Sequence, residues 1–206
     1  MINVKVAGWR GPAKATKKPE FMRLLRYLRP TKKDIFYDLG CGHGYPCIWI
    51  AKRVKLAIGI ENHYARFCRA QLNVQKSGLP NVKIIKKDLE DATYEDATII
   101  YSFIELSFND LARIQKFVKS GTTIVMYARV PYPIRSRWVT GNYFMMKTPF
   151  KRVRSEDEYA RIYMGKKKAT IDDVYAWFGR RKDAKKLKWE ISRANSNWNK
   201  LMRRHG

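Results

Sequence analysis

The chain has 206 residues, 45% of them hydrophobic, and its 43 Lys and Arg against 18 Asp and Glu give a formal net charge of +25. That length suits one ordinary core with an appendage rather than two full domains, and so large an excess of cations points to a polyanionic partner, nucleic acid or an acidic complex. No apolar run reaches the ~18 residues of a membrane span and Met1 to Gly11 lacks the apolar core of a secretory signal, so no membrane contact is expected and the expected location is the cytoplasm.

The cations gather at the two ends. Residues 1 to 33 carry 10 basic and 1 acidic side chains, and residues 151 to 206 carry 17 and 7. Residues 1–18 read as a basic arm. After it, Phe21, Leu24, Leu25 and Leu28 fall at helical spacing within Pro19 to Leu28, and Pro30 ends that helix.

A strand is expected over Asp34 to Leu39. It runs straight into Gly40-Cys41-Gly42-His43-Gly44, so an acidic residue, Asp38, is followed by three alternating glycines. A sharp strand-to-helix turn whose backbone passes close to a ligand needs residues without a Cβ. The helix expected next, about Cys47 to Arg53, would turn its N-terminal N–H groups toward a carboxylate. Asp38 would meet an ammonium. Both features suit the amino-acid end of S-adenosyl-L-methionine, the cofactor expected here. Dinucleotide proteins space the turn as G-x-G-x-x-G, and the alternative is a phosphate-binding or structural turn.

Leu56 to Ile60 reads as a second buried strand with Glu61 at its end, placed to accept both ribose hydroxyls. A helix over Tyr64 to Lys76 stops at Ser77-Gly78-Leu79-Pro80. A third strand, Val82 to Ile85, has Asp88 beyond it, suited to the adenine amine. Thr98 to Tyr101 is a fourth strand, Leu111 to Lys119 a helix and Thr122 to Tyr127 a fifth strand. Asn142 to Lys147 and Tyr159 to Met164 would close the sheet as an antiparallel pair. The fold expected is α/β: a Rossmann-like, doubly wound, mostly parallel seven-stranded sheet over residues 19–165, with a basic helical C-terminal extension over 166–206. Thr170-Ile171-Asp172-Asp173 looks like a capped helix start. From Ala184 the positions Ala184, Leu187, Ile191, Ala194, Trp198 and Leu201 draw one apolar stripe, to be buried on the domain's own core or on a partner.

Cys41, Cys47 and Cys68 lack C-x-x-C spacing and read as small buried residues, while His43, His63 and His205 lack metal-ligand spacing, so no metal is expected. Methyl transfer from a sulfonium is an in-line displacement, and the enzyme's task is to position the nucleophile and exclude water. The segment after the fourth strand, Ile100 to Ser107, lacks both the Asn/Asp-Pro-Pro-aromatic loop that grips a flipped adenine and a Pro-Cys pair for attack on cytosine. Tyr101, Ser102 and Phe103 are the candidate substrate channel, with Tyr45 and Tyr132 as further rings and Ser102 and Glu105 to orient an amine. The alternative places Tyr101 and Phe103 in the core.

From Pro19 to about Pro133 the chain resembles the small archaeal Dot1-like protein-lysine methyltransferases, members of class I. The residues that carry the likeness are Pro19-Glu20, Phe36-Tyr37-Asp38-Leu39-Gly40-Cys41-Gly42-His43-Gly44, Gly59-Ile60-Glu61, Asp88-Leu89, Ile99-Ile100-Tyr101, Gly121 to Val125 and Pro131-Tyr132-Pro133. The resemblance implies a cofactor set of Asp38, Gly40, Cys41, Gly42, Gly44, Glu61, Asp88 and Leu89. It also implies methylation of lysine on chromatin or other nucleic-acid-associated proteins, ribonucleoprotein components among them. The charge of the basic termini is what leads to the expectation that they hold nucleic acid. An RNA methyltransferase is the alternative, and a non-catalytic nucleic-acid-binding protein on the same scaffold a third reading.

Overall fold

A computed structural model describes residues 15–127, 130–178 and 182–202. The expected basic arm lies outside the described residues except for Ala15 to Lys18. Helix α1 (Lys18–Leu28) carries Pro19 in its first turn and buries Phe21, Leu24 and Leu25. Next come β1 (Ile35–Leu39), α2 (Tyr45–Ile50), β2 (Leu56–Glu61), α3 (Tyr64–Ser77), β3 (Val82–Lys86), β4 (Ile99–Ser102), α4 (Phe108–Phe117) and β5 (Thr123–Tyr127). The first five strands are parallel: α2, α3 and α4 make three of the crossovers that return the chain to the same end of the sheet, and a loop over residues 87–98 without a helix makes the one between β3 and β4.

The seven strands lie in the order β3-β2-β1-β4-β5-β7-β6, the last two being β6 (Arg137–Thr140) and β7 (Tyr143–Lys147), both antiparallel to their neighbours. Order reverses between β1 and β4, which opens a crevice outside their carboxyl ends. One sheet face carries Tyr37, Leu39, Ile58, Ile60, Ile100, Ile124 and Met126; the other carries Phe36, Ala57, Ile99, Tyr101 and Val125 beneath α1 and α2.

Five expectations need correction. The helix after the glycine turn begins two residues early, at Tyr45, and gives way to a 3-10 turn over Ala51–Arg53. Tyr159 to Met164 is no strand: it lies in helix α5 (Glu156–Met164), where the Ser155 hydroxyl accepts from the Glu158 N–H and Glu156, Asp157 and Glu158 fill the first turn. The strand that pairs with β7 is β6, joined to it through Gly141 (φ 54°) and Asn142, a two-residue hairpin signal. Helix α4 also starts early, at Phe108, because Ser107 and Asp110 form a reciprocal capping box.

The apolar stripe near the C-terminus is split between two helices, α7 (Lys182–Ser192) and α8 (Ala194–Met202), rather than one. Preceded by α6 (Ile171–Phe178), they form a third apolar cluster in which Ala184, Leu187 and Ala194 meet Tyr132, Val153 and Tyr159. The break at Arg193 lets α8 lie against α4, with Trp198 on the main core. The stripe is thus buried on the chain itself; Leu201 lies outside the residues whose side chains are described. Thr170 does open α6 with a cap, its N–H and hydroxyl both donating to Asp173 Oδ2. Of the cysteines, Cys41 and Cys47 are buried, whereas Cys68 is exposed, since α3 turns that position outward.

Candidate cofactor site and acceptor face

The turn after β1 is built from backbone demands. Gly40, Gly42 and Gly44 have φ of +74°, +55° and +77°, conformations that side chains resist. The Gly40 and Cys41 N–H groups both donate to the Ile60 carbonyl at 2.9 Å, drawing the loop across β2. That crossing explains a fourth glycine. A Cβ on Gly59 would stand 2.6 Å from Cys41 Sγ and 2.9 Å from its Cβ. Sequence reading had placed Gly59 in a strand without a reason, although a lone glycine inside a strand is the sign of close backbone approach.

Two carboxylates flank this loop. Glu61, 3% exposed at the end of β2, accepts from Gly42 N–H through Oε2 and from His63 N–H through Oε1, both at 2.9 Å. It therefore clamps the glycine loop, and each oxygen keeps a further lone pair. Asp38, 2% exposed on β1, has an Oδ2 with no hydrogen-bond partner among the described residues. Burial, then the nearby charge of Glu61, pushes the Asp38 carboxyl well above the ordinary range. A buried carboxylate oxygen without a donor is costly, and a ligand ammonium would remove that cost. The site fits the amino-acid end of S-adenosylmethionine on this ground.

Asp88 is exposed, and its carboxyl is held below the ordinary range by hydrogen bonds, first from the Glu90 N–H and then from Asn62. Leu89 is half-buried against the main core, and its carbonyl accepts from the Tyr94 hydroxyl. Asp38 near the end of β1, Glu61 at the end of β2 and Asp88 just past the end of β3 thus stand at the carboxyl ends of three adjacent parallel strands.

On the other side, β4 delivers Tyr101, Ser102 and Phe103 to three different surroundings. Tyr101 is fully buried between Phe21 and Phe36, its hydroxyl 2.8 Å from Thr16 Oγ1 and 3.1 Å from the Tyr143 hydroxyl. Burial raises Tyr101 strongly and Tyr143 to about 12, so both stay protonated near neutrality. Ser102 is buried and donates to the Ile104 carbonyl. Phe103 is half-buried and stacks on Tyr127, with ring centroids 4.3 Å apart.

The structure therefore pairs Phe103 with Tyr127, a ring that sequence reading missed although it ends the strand next to β4. The Tyr127 ring also packs edge-on against Tyr143, and Asn142 Nδ2 donates to its hydroxyl. The other expected rings lie elsewhere. Tyr45 stacks on Trp49 along α2, and Tyr132 packs edge-on against Tyr159 in the third cluster. Glu105 pairs with Lys186 of α7 at 2.7 Å.

A crevice of this topology, lined by a glycine turn and buried carboxylates, is the nucleoside-binding end of a Rossmann-like fold. Residues 36–124 match the model of a methyltransferase domain. A protein-lysine N-methyltransferase of Saccharolobus islandicus is 32% identical over 110 residues, which span 51% of this chain and 68% of that protein. A 23S rRNA uracil-C5 methyltransferase of Haemophilus influenzae is 30% identical over 89 residues, 43% of this chain and only 20% of that enzyme. Among solved structures, an RNA methyltransferase from Salinibacter ruber in complex with S-adenosyl-L-homocysteine shares the fold, with a TM-score of 0.58 and 24% identity over 69% of this chain and 98% of that one. The chain belongs to the class I S-adenosylmethionine-dependent methyltransferases, and its methyl donor is S-adenosyl-L-methionine. No helix among the described residues is long and apolar enough to cross a membrane.

Proposed function

We propose that the chain is a protein-lysine N-methyltransferase acting on a protein associated with nucleic acid. The observation that carries this reading is the extent of the likeness to the Saccharolobus lysine enzyme, which covers 68% of that protein. The rRNA relative overlaps through only 20% of its own length.

In this reading Asp38 receives the cofactor's ammonium, the N–H groups around Gly40, Cys41, Gly42 and Gly44 face its carboxylate end, Glu61 accepts from the ribose, and Asp88 with Leu89 borders the adenine. The cofactor supplies an activated methyl group. The chain's own contribution is placement. Phe103 and Tyr127 offer ring surface beside the end of β4, where an alkyl stem can lie and a cationic amine is favoured by the ring quadrupoles. The Tyr101 and Tyr143 hydroxyls, kept protonated by burial, are donors and not bases. A lysine amine must be neutral to attack, so the rate rises with pH toward its ordinary pKa of about 10.4.

The test is transfer of radiolabelled methyl from S-adenosylmethionine into native extract, divided between protease and nuclease. Label lost to protease and kept after nuclease supports lysine methylation. Label lost to nuclease supports RNA methylation, the second reading, which the RNA-methyltransferase relatives and the +25 charge favour. Cofactor binding with no label in either arm supports the scaffold reading.

A further inference from the structure

Beyond the cofactor crevice, a groove of about 420 Å³ opens between the edge strand β6 and helix α5. Its lining includes Arg137, Trp138, Glu158, Arg161, Lys166 and Lys167. The four cations are exposed, and among the described residues none of them has a carboxylate within 4 Å. The carboxylate in the groove is already engaged: Glu158 pairs with Arg135 at 3.0 Å and accepts from the Arg154 N–H. Lys166 lies near enough to Asp173 to help lower that carboxyl, but Asp173 is tied to the Thr170 N–H and hydroxyl. Over residues 135–168 the sequence holds 10 Lys and Arg against 3 Asp and Glu.

Trp138 adds what a plain charged patch lacks. It is 47% exposed, and its indole Nε1 donates to the Gly141 carbonyl at 2.6 Å, which fixes the ring before any ligand arrives. A fixed, exposed aromatic face among cations is the arrangement that single-stranded nucleic acid takes, with phosphates on the charges and a base on the ring. The sheet register connects this groove to the reaction site. Trp138 pairs with Phe144, Phe144 with Met126, and Met126 with Ser102. Three strand spacings of about 4.8 Å place Trp138 roughly 15 Å from the end of β4.

We propose that the groove between β6 and α5 is a binding site for single-stranded nucleic acid, with phosphates along Arg137, Arg161, Lys166 and Lys167 and a base stacked on Trp138. This holds whichever acceptor the enzyme methylates, and it narrows the binding from the basic C-terminal region as a whole to one groove that the edge strand β6 shares with helix α5 and the residues just after it.

The experiment is fluorescence anisotropy of the full chain with a labelled 12-nucleotide oligouridylate across a salt series. Arg161→Ala/Lys166→Ala/Lys167→Ala is expected to lose at least about tenfold in affinity and to reduce the salt slope by about two, from roughly 0.7 per phosphate contact. Trp138→Ala is expected to lose about fivefold or more with the slope unchanged. A control on another surface, Lys52→Ala/Arg53→Ala/Lys55→Ala, is expected to lose under threefold. S-adenosylmethionine affinity by calorimetry should stay at the wild-type value in every variant, which separates failure of the groove from failure of the fold or of the cofactor site. Equal losses in the control triple, or an unaltered Trp138→Ala, would overturn the assignment. So would displacement of the oligonucleotide by an equally charged polyglutamate at the same concentration as by unlabelled RNA, which would make the groove a site for an acidic protein segment.

Discussion

The two halves of the sheet achieve order by different means. Around β1, β2 and β3 the chain obeys backbone requirements: glycines at positive φ, a glycine where a loop crosses a strand, and carboxylates at strand ends. Around β5, β7 and β6 the order comes from side chains that are distant in sequence. Phe103 meets Tyr127, Tyr101 meets Tyr143, and Glu190 of α7 accepts from the buried Tyr132 N–H. The first half carries the buried carboxylates and the glycine turn that suit the methyl donor. The second, in the reading proposed above, offers the ring surface for the acceptor.

The sharpest break between the halves should come at Asp38. Asp38→Asn is expected to weaken S-adenosylmethionine binding by about 1.5–3 kcal/mol, the range for a hydrogen bond to a charged group, while methyl-acceptor contacts are untouched. The same change should stabilise the ligand-free protein. Asp38 is raised above its unfolded value of 3.8, so the folded state holds the proton more firmly and stability falls as pH rises from that value through the raised one. Asp38→Asn removes that fall, which thermal melts at several pH values will register. Because an ammonium favours the ionised carboxylate, cofactor affinity of the native chain should rise with pH through the same window.

Gly59→Ala ranks next, with an expected loss of about 1–3 kcal/mol in denaturant unfolding, because its Cβ would collide with the Cys41 side chain and the loop must shift. Cofactor affinity should fall with it. Glu61→Ala is expected to cost about 1–3 kcal/mol in cofactor binding by calorimetry, through the unclamped Gly42 N–H as well as any lost ribose contact. The smallest effect belongs to the other half. Tyr127→Leu should lower kcat/KM for a lysine-bearing substrate by about 0.5–1.5 kcal/mol, the worth of an aromatic pair, with cofactor affinity unchanged. An equal loss in cofactor affinity would place Tyr127 in the cofactor site and blur the division.

What was legible in the sequence follows the same division. Alternating glycines and strand-end acids are local signals, and a parallel, doubly wound sheet follows from the helix-strand alternation, whereas the order of its strands comes from the structure. Tyr159 to Met164 misled because its short run of apolar and polar residues suits either period, and the deciding signal lay upstream in the Ser155 cap and its acidic turn. The Gly141-Asn142 pair between β6 and β7 is, by contrast, a local hairpin signal. The stacking of Phe103 on Tyr127 and the pairing of Glu105 with Lys186 depend on which elements become neighbours, and no local pattern carries that information; for Gly59 the lone glycine in a strand signals a close approach, but not that Cys41 is what approaches.

The most direct test of the cofactor assignment compares S-adenosylhomocysteine with methylthioadenosine, which lacks the amino-acid end, on the native chain and on Asp38→Asn by calorimetry. Pairing between Asp38 and the ammonium predicts that the native chain prefers S-adenosylhomocysteine by tenfold or more and that Asp38→Asn loses most of that preference while its affinity for methylthioadenosine holds. Equal losses for both ligands would contradict it, leaving Asp38 a structural carboxylate and the ammonium to be held elsewhere.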